Sequence, residues 1–371
     1  LLDVSPVGVR TSFFDLGGHS LLGVRLLNNI EQATGQRLPV AALFKAPTIE
    51  RLAAMIDGQR DDELYASLVP IRAEGEGLPM YWFHPVSGTV FFYRRLVEQM
   101  ADGRPHYGLQ SQGLDGGVAP FNRIEDMVAH YVKEILAHQP EGPYHLGGWS
   151  FGGTLAYEAA RQLEALGREV APVVLIDSKV PTLFDRLGAR NEEYLLETFA
   201  QNFGLPLDIE VADGDESLLS VNDRLAQILT KAQASGDFPL EIEARQLRRF
   251  FEIFKMNFFA MPEYEPGAFA GRVVLFKAKE AIPMPKETTE FTWWDLLVRR
   301  LHARAAALRA RFWDSWVEND LGWRKVAKRN LRVVRVPGNH FDMLAPDHVE
   351  DLARILGSVL SELGSSESNE E

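Results

Sequence analysis

The sequence contains no cysteine. Disulfides, a thiolate nucleophile and cysteine-ligated zinc are thereby excluded, and a reducing cytoplasm is the expected setting. No apolar run approaches the length of a membrane span, and the first residues lack the charged start and apolar core of a secretory leader. Positive charge is in deficit. Lysine and arginine total 39 against 52 acidic residues, a net charge of −13, which argues against a nucleic-acid partner because such a partner calls for a basic surface. The strand–G-x-x-G-x-x-G–helix signature that would suggest a reductase is missing as well. What is present is ordinary for globular protein: 371 residues, 46% hydrophobic and 25% charged, room for two domains with one substantial core.

The most informative stretch runs Tyr144-His145-Leu146-Gly147-Gly148-Trp149-Ser150-Phe151-Gly152-Gly153. Its Gly148-Trp149-Ser150-Phe151-Gly152 core fits G-x-S-x-G, a nucleophile elbow, in which a strand runs in, the chain turns sharply at the serine, and a helix runs out. Tyr144–Leu146 supplies a short apolar strand, and Thr154–Leu163 reads as the helix. A strained serine turn needs small neighbours, and the helix start aims N–H groups at a developing oxyanion. Around this point strands and helices alternate. Leu68–Ile71, Met80–Phe83, His106–Leu109, Ala171–Asp177, Arg272–Lys277 and Leu331–Val336 read as strands, and Tyr93–Met100 and Ile124–Ala137 as helices. That alternation predicts a mostly parallel sheet.

A serine hydroxyl needs a base, and the base needs an orienting acid, in the chain order Ser, acid, His for an α/β-hydrolase. His340, on a loop after the last strand, is the expected base; His302 and His348 sit in helical patterns and read as surface residues. Two acids compete. Asp177 ends the strand after the elbow helix, whereas Glu280 lies past the later strand, and Asp342 is too close to His340 in sequence to orient it. Asp177 is preferred because its strand is cleanly apolar, and because Lys277 and Lys279 make the Glu280 segment look solvated. The loop His84-Pro85-Val86 at a strand end suits the oxyanion hole, so the backbone N–H groups of Val86 and Phe151 are the expected donors. His84 itself reads as structural. With these residues, positions 65–363 resemble a type I thioesterase domain, Gly142-Pro143-Tyr144 and Val336-Pro337-Gly338-Asn339-His340 fitting that family closely. The resemblance implies an α/β-hydrolase fold and supports Asp177 as the acid.

The first residues form a separate pattern. Leu21, Leu22, Val24, Leu26, Leu27 and Ile30 give an amphipathic helix opened by Ser20 and stopped by Gly35, and Pro47-Thr48-Ile49 opens another. With its Leu16-Gly17-Gly18-His19-Ser20-Leu21 motif, segment 1–57 resembles a peptidyl carrier domain of non-ribosomal peptide synthetases, its first helix truncated. The resemblance implies a small all-α bundle, with a 4′-phosphopantetheine arm set on Ser20 by a phosphopantetheinyl transferase and His19 on the transferase-facing surface.

Residues 58–64 read as a linker, 181–266 as a helical lid insertion, and 364–371 as a disordered tail. The phenylalanines between 250 and 259 fit either core packing or a pocket for the acyl chain, and 291–317 reads as a basic helix. The whole resembles a terminal carrier–thioesterase didomain. Its implied role is cytoplasmic release of a finished peptidyl or acyl chain by hydrolysis or macrocyclisation, downstream of condensation and adenylation domains, without metal, nucleic acid or membrane. A silent docking module and an editing thioesterase are the alternatives.

Overall fold

In the computed structural model the described residues are 2, 4–18, 20–36, 38–39, 41–58, 66–114, 118–181, 195–196, 198–200, 205, 221–234, 244–280 and 319–367. The chain opens with short helices: α1 (Ser20–Thr34), α2 (Ala42–Lys45) and α3 (Ile49–Asp57). Gly35 ends α1 at φ +72°, and Thr48 caps α3 by accepting from the Arg51 N–H at 3.2 Å. Among the described residues no helix precedes Ser20. An apolar cavity of about 460 Å³ lies between the leading segment, with Leu2, Val4 and Phe13, and the helices carrying Leu26 and Leu52.

The remainder is built on a seven-stranded sheet, in the order β1-β3-β2-β4-β5-β6-β7. The strands are β1 (Leu68–Arg72), β2 (Met80–Phe83), β3 (His106–Leu109), β4 (His145–Trp149), β5 (Val173–Ile176), β6 (Val273–Ala278) and β7 (Leu331–Val336). Every pairing is parallel except the edge pair β1–β3. Strands β2, β5 and β6 are buried at every position, as expected where helices cover both faces of a parallel sheet. Helices α4 (Tyr93–Gln99), α5 (Ile124–His138) and α6 (Phe151–Ala165) join the first strands. From β2 the chain steps to β3 on one side, then returns past β2 to β4. The strand order therefore reverses between β2 and β4, and open parallel sheets place their sites at such a point.

After β5 come α7 (Val221–Ala234) and α8 (Ala244–Ala260), inside the segment expected to be a helical lid. Phe250, Phe251, Phe254 and Phe258 of α8 are buried, and Phe199 packs edge-on against Phe251 and Phe254, so this row is core. The basic stretch 291–317 lies outside the described residues. Short α9 (Arg324–Ala327) leads to β7, and α10 (Pro346–Glu367) closes the chain. α10 runs through Glu367, four residues into the segment expected as a tail, because a helix already packed through Leu352, Leu356 and Val359 extends at the cost of single residues rather than of a new nucleus.

Candidate active site

The reversal point gathers the expected residues. β4 delivers Ser150 to the first turn of α6, at φ 58° and ψ −125°, a backbone region sparsely populated by non-glycine residues. The turn closes only because its neighbours lack side chains. A Cβ on Gly148 would lie 2.1 Å from the Gly152 carbonyl carbon, and one on Gly152 would lie 2.1 Å from the Phe83 oxygen. The Ser150 N–H donates to the Ile176 carbonyl at 2.9 Å, pinning the elbow to the next strand.

Asp177 follows β5 directly and also has positive φ, at 40°. Its carboxylate is buried and fully engaged. Oδ1 accepts from the Ala278 N–H at 2.9 Å, and Oδ2 meets His340 Nδ1 at 2.9 Å. With the proton on Nδ1 and directed at Asp177, Nε2 is left as the basic nitrogen. Trp149, the residue before Ser150, ties the histidine loop to the elbow: its indole N–H donates to the His340 carbonyl at 3.2 Å, and the two rings lie 5.3 Å apart. The structure thus joins Asp177 to His340, and His340 to Trp149, the residue before the elbow serine.

Glu280 is placed elsewhere. Its N–H donates to the Gly338 carbonyl at 3.1 Å and its Oε1 accepts from the Gly338 N–H at 3.4 Å, so it braces the loop that carries His340. Lys277, expected to be solvated, is only 4% exposed. It is geometry, not solvation, that separates the two acids. Asp342 accepts from both the backbone and the side-chain amide of Asn339, and closes the turn just ahead of the imidazole.

The oxyanion loop follows β2. A turn from Pro85 to Gly88, closed at 2.9 Å, presents Val86, while Phe151 opens α6 opposite. Among the described residues, no hydrogen bond occupies the backbone N–H of Val86 or of Phe151. His84 is not a base here. It is fully buried, bonded to the Tyr131 hydroxyl at 2.8 Å and to the Pro85 carbonyl at 2.8 Å, and burial pushes its pKa down to about 4.

Sequence reasoning missed two supports. The Tyr93 hydroxyl donates to the Phe83 carbonyl at 2.6 Å and accepts from the Trp149 N–H at 2.7 Å, bridging the ends of β2 and β4 beneath the site. Asn257, wholly buried on α8, donates to the Val86 carbonyl at 3.0 Å. Neither sits in a motif, and only the fold brings them to the strand ends. Of the attachment motif, His19 lies outside the described residues, and Ser20 is described by its backbone alone, as the first residue of α1. Gly17 before it, at φ +90°, has open space around it.

Residues 78–360 match the family described as Thioesterase domain, and residues 1–56 match the one described as Phosphopantetheine attachment site. A dimodular nonribosomal peptide synthase of Bacillus subtilis is 28% identical over 98% of this chain, and the indigoidine synthase of Dickeya dadantii is 28% identical over 94%. The crystal structure of a holo four-domain nonribosomal peptide synthetase bound to AMP and glycine superposes with a TM-score of 0.63, at 29% identity over 96% of this chain. The chain spans only 14% and 21% of the length of those two relatives, and 25% of that structure.

Proposed function

The chain belongs to the thioesterase-domain family and carries a phosphopantetheine attachment site ahead of that domain, and from this premise we propose that it releases the finished peptidyl or acyl chain of a synthetase. Ser20 is the attachment residue. The start of α1 suits it, with Gly17 leaving the approach unwalled by side chains. The attached arm supplies the thiol that holds the substrate as a thioester, and this chain's own residues do the rest.

Ser150 Oγ forms a bond to the thioester carbonyl carbon while its proton passes to His340 Nε2, and the Val86 and Phe151 N–H groups receive the resulting oxyanion. As the carbon–sulfur bond breaks, His340 would give that proton to the leaving thiolate. Water, or an amine or hydroxyl of the bound chain, then gives its proton to His340 and attacks the Ser150 ester; the carbon–Oγ bond breaks, His340 passes that proton to Ser150 Oγ, and an acid or a ring is released. Asp177 fixes the tautomer throughout. A phosphopantetheinyl transferase sets the arm, and upstream condensation and adenylation domains of a synthetase are the further partners; the synthetases among the relatives support a synthetase setting.

One observation carries the proposal: a strained elbow serine whose preceding tryptophan holds the carbonyl of a histidine already bonded to a buried carboxylate. In a chain loaded at Ser20 with an octanoyl thioester, Ser150→Ala should leave the acyl group on the carrier, as read by intact mass. A fluorophosphonate should label Ser150 in the native chain. Normal turnover by the variant would refute the assignment.

A further inference from the structure

Among the described residues, the carrier helices and the sheet domain meet at an aromatic contact beside the packing of α2 on β1. The Phe91 ring, just ahead of α4, lies 4.7 Å from Phe44 of α2 and 6.0 Å from Phe14, and Phe14 and Phe44 are 5.6 Å apart. The Arg94 guanidinium sits 4.3 Å over the Phe14 ring, and its Nη2 meets Asp15 Oδ1 at 2.7 Å. Glu98, one turn along α4, holds the same guanidinium from the other side.

This contact stands between the two serines. Phe14 and Asp15 belong to the loop that leads into Ser20, and a Cβ on Gly23, one turn into α1, would come within 3.8 Å of the Phe91 ring. On its other flank, Phe92 packs against Trp149 at 5.5 Å, and Trp149 leads directly into Ser150. The start of the attachment helix and the nucleophile elbow therefore flank the same pair of residues, 91 and 92.

We infer that this is the seat on which the carrier of this same chain docks to deliver its acyl group to Ser150. Phe14 and Phe44 close on Phe91, and Arg94 locks the seat through the Phe14 ring and the Asp15 carboxylate. The inference rests on the reading that Ser20 bears the arm and that Ser150 is the nucleophile. The polar half of the seat is weak in the way delivery requires. Its ion pair is partly exposed, at 22% for Arg94 and 61% for Asp15, while Ala41 and Phe44 add apolar packing in one cluster with Val69 of β1. Such a contact holds the carrier without trapping it, and the tether supplies a high local concentration.

The test uses the full chain, with Ser20 loaded by a transferase with a pantetheine arm ending in an ethyl fluorophosphonate. Ser150 Oγ displaces fluoride from phosphorus, a P–O bond replacing P–F while the hydroxyl proton passes to His340, so docking is read as an internal cross-link between residues 20 and 150. A free fluorophosphonate measures Ser150 reactivity without docking. Arg94→Asp should slow the internal cross-link roughly five- to tenfold and leave free-probe labelling unchanged. The charge swap Arg94→Asp with Asp15→Arg should recover part of that loss, because it restores the ion pair but not the cation over the Phe14 ring, with rates normalised to the loaded fraction read by intact mass. Phe91→Ala, which removes the ring without adding charge, should slow the cross-link as Arg94→Asp does. An internal rate unchanged or faster in Arg94→Asp would overturn the seat, as would failure of the swap to recover any of the loss. A native chain labelled at Ser150 by neither probe would instead remove the nucleophile, and with it the delivery that the seat serves.

Discussion

Asp177 is committed on both oxygens, one to the Ala278 N–H and one to His340 Nδ1. A carboxylate so held cannot rotate away from the imidazole, and the positive φ of its backbone turns it out of the strand and towards that ring. Asp177→Asn would keep the shape but lose an acceptor or present a donor where Nδ1–H points, stranding the imidazole in the wrong tautomer. The rate should fall by about 10,000-fold, measured as kcat/KM on a soluble thioester. Glu280→Gln should leave that rate nearly unchanged, since the backbone bond from the Glu280 N–H to Gly338 persists and the side chain only braces a loop. Equal losses in the two variants would undo the choice of acid. The serine and the histidine were legible in the sequence because the elbow imposes a strict local spacing and the base follows a recognisable strand. The acid was less so, because a carboxylate past either of two strands satisfies the same pattern, and Lys277 reads as solvated until its burial is seen.

Among the elements, α4 does more than connect β2 to β3. The hydroxyl of its first residue, Tyr93, spans the gap between β2 and β4, where neighbouring strands part to form the site. With the ring fully buried, Tyr93→Phe would leave the Phe83 carbonyl and the Trp149 N–H without that partner in the interior. The expected cost is about 2 kcal/mol of stability, read from the urea midpoint. A fall in kcat larger than any change in KM should accompany it, since the strand ends position the oxyanion loop and the serine rather than the substrate. A variant as stable and as active as the native chain would show that the bridge is incidental. The seven strands were readable from their apolar runs and alternation, and each was found within a few residues of its expected bounds. The supports at residues 93 and 257 were not, because a tyrosine at a helix start and an asparagine on a phenylalanine-rich helix carry no pattern of their own. Their partners are set by sheet order, which the sequence does not spell out.

At the scale of the molecule, burial favours the neutral form of several histidines. His84, His106 and His145 all have pKa values pushed down by burial, His84 to about 4 from an ordinary value of 6.5. Between those two values the unfolded chain binds a proton at the His84 position that the folded chain does not, so stability must rise with pH across this window. The His84 contribution is complete above about pH 6.5 and is lost as the pH falls towards 4. Asp102 takes over below that. Burial alone would raise its pKa, but His106, Arg72 and Arg104 outweigh burial and hold it near 2, so its contribution is lost only as the pH falls from about 4 towards 2. Both groups weaken the protein on acidification, in successive windows. The first window is the practical one, because His84 lies at the root of the oxyanion loop between β2 and Val86. Between pH 7 and 5, His84 alone should remove about 2 kcal/mol, seen as a falling urea midpoint. His84→Gln, which has no proton to gain, should flatten that slope while keeping a polar group opposite Tyr131. A midpoint indifferent to pH over this range, or an undiminished slope in the variant, would mean that the imidazole is not buried neutral. The loop that presents the Val86 N–H would then rest on a charged group rather than on a dry one.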